Sequence, residues 1–161
     1  MIIKYRRLRK DDIDQLIAFF RDLNHEGAEV SFSEVEKKEE IESWLNDERM
    51  HVFVADYDGE VLGVLRGKQG KVGRDHSCFL TAATNKKYRG HKIAQNLTKY
   101  SLSELKEIGV KIARAYIYSN NAASVSTILK CGFTSSGCVH MHHYEEDVER
   151  YVDDLIFHKI L

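Results

Sequence analysis

The stretch Lys87-Tyr88-Arg89-Gly90-His91-Lys92-Ile93-Ala94 places basic and small residues at the start of a helical pattern. The first amide N–H groups of a helix have no internal partner, and its N-terminal end carries partial positive charge. Such a turn can bind a pyrophosphate. Gly90 and Ala94 let the backbone come close to it, and Arg89 and Lys92 add charge. Taken alone, the same string would also serve as a basic helix start with a small residue for packing.

A second group with chemical potential is the run containing Cys138, His140, His142 and His143. In a regular strand 140 and 142 share one face and 143 points to the other. No Cys pair or helical His pair accompanies them, so no metal site is expected. Cys78, Cys131 and Cys138 are an odd count without framework spacing, and they read as reduced and mostly buried.

The elements that must position these residues are legible in the periodicity. Ile2 to Leu8 alternates as a strand. Asp12 and Gln15 resemble a capping box for a helix running to about Asn24 along Ile13, Leu16, Ile17, Phe20 and Leu23. Ser33 and Glu36 repeat that signal for a second, acidic helix through Val35, Ile41, Trp44 and Leu45. His51–Tyr57 and Glu60–Arg66 form a hairpin about Asp58-Gly59, and His76–Thr84 is a third antiparallel strand. A long helix follows through Ile93, Leu97, Tyr100, Leu105 and Ile108, closed by Gly109 as a left-handed cap. Ile112–Tyr118 is a buried strand. Asn120 and Asn121 cap a short helix through Ala122, Val125, Ile128 and Leu129 that Gly132 ends, and Phe133–Tyr144 and Tyr151–Ile160 complete the order β-α-α-β-β-β-α-β-α-β-β.

The totals fit this order. The 161 residues are 43% hydrophobic and 30% charged, with 24 Lys and Arg against 25 Asp and Glu, a chain expected to fold as one domain over residues 1–161. No apolar run approaches the ~20 residues of a membrane span, and the charged start MIIKYRRLRKDD lacks a leader pattern, so no membrane and a cytoplasmic location are expected. Charge is segregated: His25–Arg49 holds nine acids and three bases, and Lys86–Arg114 eight bases and two acids. With a net charge of -1 and its bases gathered on one loop and helix, the chain is not expected to bind nucleic acid.

The succession of strand, RGHKIA helix, strand, Asn121 helix and Gly132-Phe133 strand resembles the GNAT superfamily of N-acetyltransferases over nearly the whole chain. The family loop Q/R-x-x-G-x-G/A is matched by Arg89 and Ala94, with Lys92 at its central glycine. The signature N-x-x-A-x-x-L-Y-x-K-x-G-F aligns on Asn121, Lys130, Gly132 and Phe133, with Ser124 and Thr127 at its Ala and Leu positions and Ile128 at its tyrosine. The resemblance implies an α/β (α+β) fold with a mixed, mainly antiparallel six- to seven-stranded sheet and about four helices. It also implies acetyl-CoA as co-substrate, bound by Arg89, Gly90, His91, Lys92, Ile93 and Ala94, with Asn121 and Lys130 beside them. The pantetheine arm would lie between splayed fourth and fifth strands, lined by Ala82, Ala83 and Thr84.

The resemblance also points to the proton chemistry. In one branch a glutamate thirteen residues before the loop arginine is the base, and that offset lands on His76, which could equally be a strand-end surface histidine. Another branch uses a glutamate at the position of Tyr116. Tyr116 and Tyr118 alternate with Ile117, so both phenols are expected on the cleft side, to orient water or donate to the leaving sulfur, with core packing as the alternative. Ile128 cannot be an acid. The expected activity is acetyl transfer to a primary amine of a small molecule or peptide by direct attack in a ternary complex, with the acidic second helix and Glu145–Glu149 drawing a cationic acceptor. The alternative is a non-catalytic CoA- or nucleotide-binding domain of the same shape. The oligomeric state is left open, a homodimer included.

Overall fold

The computed structural model describes residues Met1–Leu161. The strands are β1 (Lys4–Arg7), β2 (Met50–Tyr57), β3 (Glu60–Gln69), β4 (Ser77–Thr84), β5 (Ile112–Tyr118), β6 (Thr134–Glu145) and β7 (Arg150–Ile160). The helices are α1 (Ile13–His25), α2 (Lys38–Asn46), α3 (Ile93–Glu107) and α4 (Ala122–Lys130). They follow the order expected from the sequence. The sheet order is β1-β2-β3-β4-β5-β7-β6, and only β4 and β5 are parallel neighbours. That pair needs a crossover, which α3 supplies.

Alternation divides the apolar residues between two cores. On one face Phe53, Leu62, Leu65, Ala113 and Phe157 pack under Leu97 and Leu105 of α3 and Ile128 of α4. On the other, Val52, Val54 and Val64 meet Leu16 and Phe20 of α1 and Ile41 and Trp44 of α2. Phe20 stacks on Phe32 with ring centroids 4.9 Å apart. The Asp58-Gly59 hairpin forms as expected, both residues with positive φ (50° and 87°), as a two-residue turn demands.

Two helix starts differ from expectation. Asp12 does not pair with Gln15: its Oδ2 accepts the Arg9 N–H at 2.8 Å and the Arg6 guanidinium at 2.7 Å. Gln15 instead binds the hairpin, donating to Gly59 O and accepting from Val61 N–H. An available arginine outcompetes the local cap. Ser33 and Val35 lie before α2, in a short 3-10 turn and an extended link, because Phe32 and Val35 are drawn into the core instead of onto the helix stripe. No helix is long and apolar enough to cross a membrane.

Candidate active site

α3 begins abruptly after an irregular turn. Asn85 Oδ1 accepts from Lys87 N–H, and the chain turns through Gly90 at φ 86° and Lys92 at φ 59°, ψ 16° before Ile93 opens the helix. From Gly90 to Gln95 no backbone N–H donates within the chain. The consecutive free donors stand at the positive end of a 15-residue helix. Lys92, at the central glycine of the family loop, occupies the left-handed region, which costs roughly 1 kcal/mol for a non-glycine residue. Its amide is nonetheless free. Ile93 is buried in the core, so it offers the ligand only its N–H, and His91 folds back with Nδ1 3.1 Å from Tyr88 O.

β4 and β5 leave a gap beside this turn. They pair only at Ser77–Phe79 against Ile112–Arg114 and then separate, because β5 turns to pair with β7 along its whole length. Bonds from Asn85 N to Leu62 O and from Gly70 N to Ser77 O fix the parity of β4 against β3. Residues 79, 81 and 83 therefore exchange bonds with β3, the Leu80 N–H closes the paired segment on Arg114, and Ala82 and Thr84 aim their N–H and C=O into the gap. Ala83 is thus not a gap residue. Its backbone belongs to β3 and its side chain packs against the α1/α2 core.

One buried side-chain oxygen without a partner lies at the gap, and another lies across β5 from it. The two in the molecule are Thr84 Oγ1, at the open end of β4, and Asp154 Oδ1, on β7 opposite Tyr118. Orphaned buried acceptors are costly and mark places where a ligand or water completes the bonding.

The face of the sheet toward α1 is uncovered over β4, β5 and β7. Phe79 and Tyr116 meet edge to face there at 5.0 Å, with Tyr116 49% exposed, so core packing does not account for it. Tyr118 lies further out on the same face. Burial, then the charges of Glu29, Asp154 and Glu34, push its phenol above the ordinary value, so it is a proton donor at neutral pH and not a base. His76 is not gathered with these tyrosines. It is exposed one residue before β4, its carbonyl bonded to Lys111 and Ile112 N–H, and Leu80 is about 13 Å further along the strand.

The histidine run differs from the regular strand expected. A bulge between Val139 and His143, with Met141 at φ 50°, breaks the alternation. His143 consequently stacks on Tyr118 at 5.6 Å and His142 stands 6.0 Å from it. Beside them a cleft of about 580 Å³ is rimmed by Glu29, Glu145, Glu146 and Asp147, with no lysine or arginine. The acids of α2, by contrast, stand on an exposed helix surface.

Among the remaining expected residues, Asn121 caps α4 by accepting from Ser124 N–H at 3.1 Å. Lys130 is exposed in the last turn of α4. Ile128 is buried in the core. Arg89 donates to Thr84 O and forms an ion pair with Glu26, beyond the end of α1. Cys78 and Cys131 are buried as expected, but Cys138 is exposed, because β6 is an edge strand. Burial pushes the Cys78 thiol up to about 12 and raises Cys131. Neither is a nucleophile. Glu26, Glu29 and Asp154 were not singled out from sequence; the doublet Asp153-Asp154 inside a strand was the available signal, since alternation must turn one inward.

A sequence model of the Acetyltransferase (GNAT) family matches residues 17–133. No curated protein sequence matches the chain. Ribosomal-protein-alanine N-acetyltransferase from Brucella melitensis is similar over 100% of both chains, with 26% identity and a TM-score of 0.84. The structure of yncA from Salmonella typhimurium, solved with its cofactor acetyl-CoA, aligns over 99% of this chain and 94% of that one, with 17% identity and a TM-score of 0.84. The ribosomal-protein-S18-alanine N-acetyltransferase from Escherichia coli aligns over 99% and 94%, with 14% identity and a TM-score of 0.77. The last two likenesses speak for the fold.

Proposed function

The chain belongs to the acetyltransferase (GNAT) family, and from that premise we propose that it moves an acetyl group from acetyl-CoA to a primary amine of a small molecule or peptide by direct attack in a ternary complex. The observation that carries this reading is the unbroken run of free N–H groups from Gly90 to Gln95 beside the β4–β5 gap. A run of aligned amides suits a diphosphate, and the gap suits an extended arm that bonds to a strand edge.

Acetyl-CoA supplies an activated acetyl thioester when bound. The turn from Arg89 to Ala94 would hold its diphosphate, and the Ala82 and Thr84 backbones its pantetheine arm. Asn121 and Lys130, the α4 residues that match the family signature, would complete the cofactor site. The N–H of Ala82, first to face the gap beyond the paired segment, would stabilise charge growing on the carbonyl oxygen. Tyr116 would orient the amine or a water beside Phe79, and Tyr118 would keep its proton as a donor. The amine's proton would pass to solvent water, since His76 lies beyond the reach of a base acting through one water. An alkylamine with a pKa near 10.4 is only about 0.04% neutral at pH 7, so this step costs roughly 4.6 kcal/mol. Without a reactive buried thiol, an acyl-enzyme has no obvious nucleophile on the cleft side.

The carboxylates about Glu29 and Glu145 favour a cationic acceptor over the α2 acids first considered. A peptide amine is one such acceptor, in line with the substrate named for the Brucella relative. A cytoplasmic location and a single functional domain belong to the same reading; three free cysteines suit a reducing compartment. Ile128, buried where relatives carry a tyrosine, favours a second reading, a CoA-binding domain without turnover.

Thiol release separates the two. Incubation with acetyl-CoA and an amine panel is expected to give acceptor-dependent free thiol, while CoA binding without any release would establish the second reading.

The Glu26–Arg89 pair adds a further expectation. It occupies a cation that a diphosphate would draw on, so Glu26→Gln should tighten CoA binding two- to fivefold, roughly the worth of a partly exposed ion pair. Weaker binding by calorimetry would mean that Glu26 supports the turn instead of competing with the ligand.

A further inference from the structure

On the sheet face opposite Tyr118, the bulge of β6 gathers Cys138, His140 and, from β7, Asp153, with one ligand atom of each within 4.8 Å of the others. Sequence alone missed this, since regular alternation gave no reason to bring Asp153 to the Cys-x-His pair. Cys138 Sγ is 3.6 Å from His140 Nδ1, and the same Nδ1 is 3.2 Å from Asp153 Oδ2. A tetrahedral zinc ion with bonds of about 2.3 Å to sulfur and 2.0–2.1 Å to nitrogen and oxygen has S···N and N···O edges of roughly 3.6 and 3.3 Å. The Cys138–His140 and His140–Asp153 edges already have that length; Sγ is also 3.6 Å from His140 Nε2, so a rotation of the exposed ring would turn Nδ1 to the ion.

The surroundings hold them there. Met141, at φ 50°, turns the bulge so that its N–H donates to Asp153 Oδ1 at 2.9 Å, which leaves Oδ2 toward His140. The Asp153 N–H in turn donates to Ser119 Oγ at 3.1 Å. Fixing the oxygen that does not face the ion is how ligating carboxylates are commonly oriented.

We propose that Cys138, His140 and Asp153 form a binding site for one zinc-class divalent cation, with solvent in the fourth position. Thiolate and imidazole together select zinc or cobalt over magnesium or calcium, which prefer oxygen. Exposure and only three protein donors set the affinity near micromolar, weaker than a closed four-ligand site. Occupancy would pin the bulge that carries His142 and His143 to Tyr118.

The test is a titration of the reduced, full-length protein with Co²⁺, followed by Zn²⁺. One equivalent should bind with a thiolate-to-cobalt charge-transfer band that Zn²⁺ displaces. Cys78 and Cys131 are buried, so the band reports on Cys138. Cys138→Ser should abolish the band, and His140→Ala and Asp153→Asn should each weaken binding at least tenfold. The double variant His142→Ala/His143→Ala should keep both band and stoichiometry. All three ligands lie at the surface, and circular dichroism checks that each variant is folded. Absence of saturable one-to-one binding, a band that survives Cys138→Ser, or loss only in the His142/His143 variant would each overturn the proposal.

Discussion

Ala94→Glu is expected to reduce CoA affinity by at least a hundredfold while leaving the melting temperature unchanged or slightly raised. Ala94 is a half-buried residue in the first turn of α3, inside the run of free N–H groups. A carboxylate there would meet a diphosphate a few ångströms away, and two like charges 4 Å apart repel by about 1–4 kcal/mol near a protein surface. It would also offer the free amides an internal acceptor and fill the space the backbone needs to approach the ligand. Those terms together amount to roughly two or three orders of magnitude. The same carboxylate suits the helix dipole, typically by 0.3–1 kcal/mol, so binding and stability should move in opposite directions. Lys92→Gly is the companion. It keeps the N–H and relieves the left-handed strain while removing one cation, so affinity should change far less. Calorimetry with CoA and thermal melts read both quantities. Wild-type affinity in Ala94→Glu would remove the phosphate-binding role of the turn.

The features legible in the sequence are those set by local chemistry. Asp58-Gly59, Asn121 with Ser124 and Gly109 at φ 92° each act within a few residues, so their signals survive without tertiary context. The turn at Gly90 belongs to the same class. Features set by competition over distance were not legible. Asp12 could bind Gln15 or Arg6, and only the folded chain brings the stronger partner within reach. The bulge at Met141 is another case: a residue without the freedom of glycine takes a positive φ because Asp153 from the neighbouring strand accepts its N–H. Every assignment that assumed regular alternation through residues 138–143 therefore failed, and Asp154 beside Tyr118 emerged only from the β5–β7 register. The free edge at Ala82 is intermediate, because its exposure to the gap follows from simple parity once two backbone bonds are known.

The largest stability loss is expected from Arg6→Leu, about 3 kcal/mol. Arg6 binds Asp12 through both carboxylate oxygens at 2.7 and 2.8 Å and reaches Asp56 at 2.7 Å, with side-chain exposures of 16%, 6% and 13% respectively. Removing the guanidinium leaves two nearly buried carboxylates without their cation, a change that typically costs 3–5 kcal/mol, and slight solvent access argues for the lower end. For a chain of this size the melting temperature should fall by roughly 6–12 °C. Asp56 fixes the pH dependence. Burial pushes its carboxyl up, but the Gly59 N–H and Arg6 outweigh that and hold it below the ordinary value. A depressed folded pKa contributes stability that is fully present above the unfolded value near 4 and is lost as pH falls through the folded one. In Arg6→Leu the depressing cation is gone and only the Gly59 N–H remains, so protonation relieves the variant while it weakens the wild type. The gap in melting temperature should therefore narrow below about pH 4, and a gap that is constant or widens with acid would refute the ion-cluster account. The cluster also anchors the start of α1 to the β2–β3 hairpin, and Glu26 beyond the far end of that helix meets Arg89. The variant should accordingly weaken the Glu26–Arg89 contact, so Glu26→Gln should tighten CoA binding less in the Arg6→Leu background than in the wild type.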